Sequence, residues 1–236
     1  MKTSLHRAET RGYANHGWLE TQHTFSFANY YNPNRMNFGM LRVLNDDRIA
    51  GGKGFGKHPH DNMEIITIPL RGALEHKDSM GNHSVIRNGE IQVMSAGTGI
   101  FHSEFNADDN EEVELLQIWI FPDQKEVTPR YQQVAIRDMT RPDELCQILS
   151  PFAGDAGVCI YQNAWFHLGD FGRPWQGNYR IKAGGNGVYI FVIEGEAEVA
   201  GEKLKRRDGL GVSEADSVDI STAENTKLLL IEVPMR

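Results

Sequence analysis

The long apolar period of an amphipathic helix is hard to find anywhere in this chain. What recurs is a short β-rich run closed by a Gly, Asn or Asp turn, and that pattern restricts the fold to an all-β sandwich or barrel. In the first half the pattern predicts strands at His23–Tyr30, Gly39–Asn45, Glu64–Leu70, Ala73–Asp78, His83–Ile86, Ile91–Ser95, His102–Asn106 and Glu114–Phe121. Asp78-Ser79-Met80-Gly81-Asn82 reads as a hairpin loop. Asn88-Gly89-Glu90 and Ala96-Gly97-Thr98-Gly99 read as turns that need positive φ.

The second half repeats the theme, with strands predicted at Val188–Ile193, Glu196–Val199, Lys203–Arg206, Leu210–Val212, Val218–Ile220 and Lys227–Val233. The segments EIITIPLRGALEH and VYIFVIEGEAEVA share one plan: a buried strand, a Gly turn, a second strand. Two related β-barrels therefore fit the 236 residues better than one large barrel. The charged, Pro-containing stretch Pro122–Gln133 marks the expected break, giving an N-terminal domain over 1–133 and a C-terminal domain over 134–236. Arg141–Ser150 is expected as a short helix or an extended connector.

With 40% hydrophobic and 24% charged residues the chain can fill a packed core, and disorder is not expected. The net charge of −8 argues against direct contact with nucleic acid or an anionic membrane. The strongest apolar runs, Leu115–Phe121 and Val188–Ile193, are too short to cross a bilayer. No apolar stretch of signal-peptide length opens the sequence, and Cys146 and Cys159 fit no zinc spacing, so two free thiols in a reducing cytoplasm are expected. The basic cluster Lys203–Arg207 reads as a solvated strand.

The chemistry concentrates in two short motifs, His58-Pro59-His60 and His102-Ser103-Glu104. Each sets two metal-capable side chains at i and i+2, which on a strand share one face about 6.6–6.8 Å apart. Two such strands side by side would aim three imidazoles and one carboxylate at a common point. Glycine turns before each motif would let the chain enter a barrel mouth sharply. A second carboxylate, Glu64, lies roughly 13 Å beyond His60 along an ideal strand and needs a bend to converge. Geometry favours Glu104. Such a donor set suits Fe(II), Mn(II), Ni(II) or Cu(II) without choosing among them. Phe55, Met63, Met94 and Trp119 lie near the motifs, either as ordinary barrel core or as an aromatic pocket. His167 is the lone histidine of the C-terminal half, which is read as a structural barrel.

These residues resemble the cupin superfamily. Gly52, five residues, His58-Pro59-His60, three residues and Glu64 match its first motif, with Gly72 one residue later than the pattern. Gly97-Thr98-Gly99, His102 and Asn106 match the second, with Gly in place of Pro and a longer gap from Gly89. The stretches HTFSFANYY (His23–Tyr31), FGKHPHDNMEI (Phe55–Ile65), DSMGN (Asp78–Asn82) and SAGTGIFHSEFN (Ser95–Asn106) are similar to the pirin family within it.

The resemblance implies a bicupin, two β-sandwich (jelly-roll) barrels packed face to face with one metal in the first. It implies His58, His60, His102 and Glu104 as ligands, iron as the first metal, and Glu64, a ligand in the wider superfamily, in a lesser role. It also implies a quercetin 2,3-dioxygenase-like activity, in which O2 opens the central ring of a flavonol and carbon monoxide leaves. Glu104 would take the substrate's proton, with Glu64 in reserve. The alternatives are a metal-dependent redox-sensing regulator that binds a protein partner, or a dioxygenase with another natural substrate.

Overall fold

The computed structural model describes residues 1–236. Its only helices are single 3-10 turns at Ala8–Thr10 and Ile136–Asp138, and no helix is long and apolar enough to cross a membrane. Everything else regular is strand, gathered into four sheets.

Two sheets belong to the first half. A seven-stranded sheet runs, edge to edge, Arg130–Ala135, Glu90–Ser95, Glu64–Arg71, Val113–Ile120, Leu41–Ile49, Leu19–His23 and Gly12–Asn15. A four-stranded sheet runs Gly54–His60, Ile100–Asn106, Ala73–Asp78 and His83–Arg87. The second half repeats this plan, with a seven-stranded sheet centred on Asn186–Glu194 and Thr226–Pro234, and a four-stranded sheet built on Trp175–Arg180, Ser217–Thr222, Glu196–Val199 and Glu202–Lys205. One strand crosses over: Lys2–His6 pairs antiparallel with Gly209–Ser213, so the chain's start completes the second half's large sheet.

Strand alternation sorts the apolar residues into distinct cores. Ile66, Ile68, Leu116 and Ile118 from the first large sheet meet Phe166, Tyr189, Phe191 and Ile231 from the second in one cluster of 24 buried residues. The two large sheets therefore pack face to face. The neighbouring positions Val188, Ile190 and Val192 point the other way, into the second barrel, where they join Leu204, Val218 and Ile220 in a cluster of 14. The corresponding interior of the first barrel holds only clusters of 5 and 4. Its remaining inward positions carry polar side chains, and there the chemistry sits.

Several expectations are corrected. The strand expected at His23–Tyr30 stops at His23, because Ser26 turns the chain: its hydroxyl donates to the Asn32 carbonyl and accepts from the Asn32 N–H. Of the two readings of Arg141–Ser150 the helix falls and the extended one stands, with Leu145–Ser150 forming a strand. Trp165–Phe171 and Trp175–Arg180 are strands that the pattern did not mark. Arg207, expected to be solvated, is 5% exposed and reaches Asp46, Glu114 and Glu194 at 3.5–4.0 Å, tying the two halves together by charge.

Candidate metal centre

Ile100–Asn106 alternates almost perfectly: Ile100, His102, Glu104 and Asn106 are buried, while Phe101 and Phe105 face out. His102 and Glu104 therefore point inward together. The Gly54–His60 strand pairs with it so that His102 lies opposite His58 and Ile100 opposite His60. Between His102 and Glu104 the register slips, and Glu104 faces Phe55 with an extra residue on the glycine-containing side. Gly54 permits the close approach, since a Cβ there would stand 2.1 Å from the Glu104 carbonyl oxygen. Gly97 does similar service in the turn before the second motif. Its φ is +48°, and a Cβ would stand 1.9 Å from the Val127 carbonyl oxygen.

The side chains meet as two overlapping triads that share His102. In one, ligand atoms of His58, His60 and His102 all lie within 4.8 Å of one another; in the other, those of His76, His102 and Glu104 do. The four expected residues are thus adjacent, and His76 joins them. His76 lies outside both sequence motifs. Its signal was present, for His76 and Asp78 repeat the i, i+2 spacing, and His76 Nε2 lies 3.2 Å from Asp78 Oδ2.

The environment suits a cation. Both ring nitrogens of His102, 2% exposed, lack a hydrogen-bond partner, a costly state for buried polar atoms without a ligand. His58 Nδ1 sits 2.7 Å from the Gly56 carbonyl oxygen; donating there fixes the tautomer and leaves Nε2 free to bind. Burial, with His58 beside it, depresses His102 to about 2, and burial depresses His60 to about 4. Both rings therefore carry free lone pairs at neutral pH. Glu104 has no cationic side chain against it; Gln117 Nε2 donates to its two oxygens at 3.3 and 3.1 Å, and burial pushes it up to about 7. A divalent ion is the counter-charge this group of residues lacks.

Glu64 is not brought to this point, which corrects its expected place in the catalytic machinery. On its strand Glu64 shares a face with Ile66 and Ile68, which pack between the two large sheets, while Ile65 faces the histidines. Its carboxylate accepts from Ser95 Oγ at 2.7 Å, and Arg130 reaches the same hydroxyl at 3.4 Å.

Beside the histidines opens a cavity of about 410 Å³, large enough for a drug-sized ligand. His58, His60 and Glu104 form one wall. Trp18, Phe27, Phe55 and Trp119 line it with aromatic rings, and Asn45, Asp47 and Gln117 with polar groups. Trp119 stands edge-on to His60 at 4.9 Å and to Phe27 at 5.2 Å. Met63 and Met94 pack with Ile65 in the apolar cluster alongside.

Comparison with known proteins gives the site a context. The family model described as Pirin matches residues 5–120, and that described as Quercetinase C-terminal cupin domain matches residues 147–233. Escherichia coli (strain K12) quercetin 2,3-dioxygenase is 44% identical over 230 residues, 98% of each chain. The Caulobacter vibrioides pirin-like protein is 37% identical over 94% of this chain and 95% of its own. Among solved structures, YhhW from Escherichia coli superposes with a TM-score of 0.94 at 42% identity, over 99% of this chain and 98% of that one. The same bacterial pirin in complex with nickel(II) superposes at 0.93, over 99% of both. A two-barrel fold with its histidine cluster in the first barrel, matched from end to end by these relatives, makes this chain a member of the pirin family.

Proposed function

We propose that this protein is a metal-dependent dioxygenase that cleaves a flavonol-like aromatic substrate with O2. The observation that carries the reading is the cluster of His58, His60 and His102, with buried Glu104 beside it, opening into an aromatic-lined cavity of about 410 Å³. The relative named quercetin 2,3-dioxygenase supports quercetin as the first substrate to test. His58, His60, His102 and Glu104 would hold one divalent transition metal, Fe(II) first, with Mn(II), Ni(II) and Cu(II) as alternatives. When bound, the metal supplies a Lewis-acid position for a phenolate oxygen and an electron partner for O2.

The remaining work falls to the chain. Neutral imidazoles at His60 and His102 keep their lone pairs available. Gly56 aims His58 through Nδ1. Glu104, with a carboxylate oxygen beside His102 and facing the cavity, would accept the proton of the flavonol 3-hydroxyl. Trp18, Phe27, Phe55 and Trp119 would stack on the flat substrate and exclude water from it.

The test is aerobic quercetin loss with carbon monoxide detection, on protein reconstituted separately with Fe, Mn, Ni and Cu, beside His60→Ala. Metal-dependent release over many turnovers, abolished by the substitution, is expected. No turnover by protein carrying one metal per chain would overturn the flavonol reading.

A further inference from the structure

On its large-sheet side the cavity carries a carboxylate with no assigned role. Asp47 lies on Leu41–Ile49 two residues after Asn45, so both side chains project from one face of that strand into the cavity. Asp47 is 4% exposed, its Oδ1 has no hydrogen-bond partner, and no lysine or arginine is among the residues lining the cavity. Nearby, the Trp119 Nε1–H is also buried and unpartnered. Asn45 is oriented from behind: its Oδ1 lies 2.9 Å from His23 Nδ1, whose proton it accepts, which turns its amide nitrogen away from that ring. Thr21 acts on this carboxylate as a hydrogen-bond donor, but Oδ1 stays unpartnered, and a buried oxygen left so is expensive to keep in a fold. Metal ligation by the His58, His60, His102 cluster does not explain it, because Asp47 belongs to neither triad.

We infer that Asp47 is a specificity-determining residue, the acceptor for a second hydroxyl of the aromatic substrate while a first oxygen lies at the histidine cluster. An ionised carboxylate accepts and cannot donate. Burial, with Asp46 and Glu104 near, pushes Asp47 up to about 7, so it acts purely as an acceptor above neutral pH, where the titrations are run. It therefore selects a hydroxyl at that end of the ligand and rejects an ether, a carbonyl or another carboxylate, by electrostatic repulsion and by loss of its one available partner. The substrate class narrows to flat polyphenols with hydroxyls at both ends. Asn45, beside it, offers a donor to the same hydroxyl oxygen. This inference rests on the proposed flavonol reading and refines it.

The experiment compares binding of quercetin, which carries hydroxyls on both outer rings, with binding of 3-hydroxyflavone, which carries none beyond the one at position 3. Nickel-loaded protein is titrated without O2, and tryptophan fluorescence quenching reports occupancy. Wild type should prefer quercetin by about ten- to hundredfold. Asp47→Asn and Asp47→Leu should lose most of that preference, with 3-hydroxyflavone affinity and nickel content unchanged. A preference ratio on one preparation is insensitive to partial misfolding, which weakens both ligands alike. Equal loss for both ligands, or a preference that survives in both variants, would overturn the role. Quercetin turnover in air with Asp47-independent selectivity sinks this inference alone. Asp47-dependent binding with no turnover in air upholds it and sinks the dioxygenase. Failure of wild type to bind either flavonol sinks both.

Discussion

Replacing Glu64 by glutamine separates its structural place from any role at the metal. Glu64 is 1% exposed, and burial pushes its carboxyl from the ordinary 4.5 up to about 7, against the opposing pull of the Ser95 hydrogen bond and nearby Arg130. A folded-state value above the unfolded one fixes the sign. Below about 4.5 both states hold the proton and nothing is lost. As pH rises towards 7 the unfolded chain releases the proton while the folded chain keeps it, so stability falls by about 1.4 kcal/mol per pH unit. The decline levels off above about 7. Between pH 5 and pH 8 this one group should cost the wild type about 2–3 kcal/mol. Glutamine keeps an oxygen for the Ser95 hydroxyl and has no proton to lose. Urea unfolding of metal-free protein in a chelator, followed by tryptophan fluorescence at both pH values, measures the difference. Glu64→Gln should gain about 2–3 kcal/mol on wild type as pH goes from 5 to 8, with metal content unchanged. The same difference at both pH values would refute the burial argument, and loss of the metal would refute the placement of Glu64 outside the site.

The other outcomes follow from particular contacts. Glu104→Gln should weaken nickel binding and flatten its pH dependence, because in wild type protons compete for Glu104 below about 7 while His60 and His102 stay neutral to far lower pH; titrations from pH 5.5 to 8 check this. Saturating nickel at a hundred times its dissociation constant should stabilise the fold by about 2.7 kcal/mol, read as a rise in Tm that His102→Ala removes. Gly97→Ala should destabilise by more than about 2 kcal/mol in urea, since its φ of +48° and the Val127 carbonyl leave no place for a Cβ. Arg207→Met should cost only about 1–2 kcal/mol in urea unfolding, because Asp46, Glu114 and Glu194 keep Arg11, Arg71 and Arg206 as cationic partners.

What could be read from the chain divides along a physical line. Ala73–Asp78 was legible to the residue because a Gly turn precedes it and a hairpin loop follows, both local signals. The stretch His23–Tyr30 was not, because its apolar and aromatic residues fit a strand and only the clamp of Ser26 on Asn32, six residues on, marks where the chain turns. The strands Trp165–Phe171 and Trp175–Arg180 hid behind glycines, where an aromatic ring fills the missing side chain: a Cβ on Gly169 would meet Phe171, and one on Gly177 would meet Trp175. Arg207 looked solvated because charge alone does not show which acids the other half will bring to it.

The candidate site divides the same way, and the division explains why it occupies one barrel. His58, His60, His102 and Glu104 were visible because each pair shares a strand, so the two-residue period alone sets them on one face. His76 and Asp47 come from strands whose neighbours across the sheet are set by the fold. His76 lies opposite Glu104 on the adjoining strand, and Asp47 lies on the facing large sheet. In the second barrel the equivalent inward row is Val188, Ile190 and Val192, and it is filled with aliphatic partners. Its one buried histidine, His167, lies beside Tyr179, whose hydroxyl donates to Glu232. Glu232 also accepts from the backbone of Lys182 and from the Asn186 amide, so its donors already satisfy it. Two barrels of one plan thus diverge in what their inward positions leave unsatisfied. The second satisfies the polar groups around its histidine, whereas the first keeps His102, Asp47 Oδ1 and Trp119 Nε1 without hydrogen-bond partners around a cavity, which is the condition for binding something else.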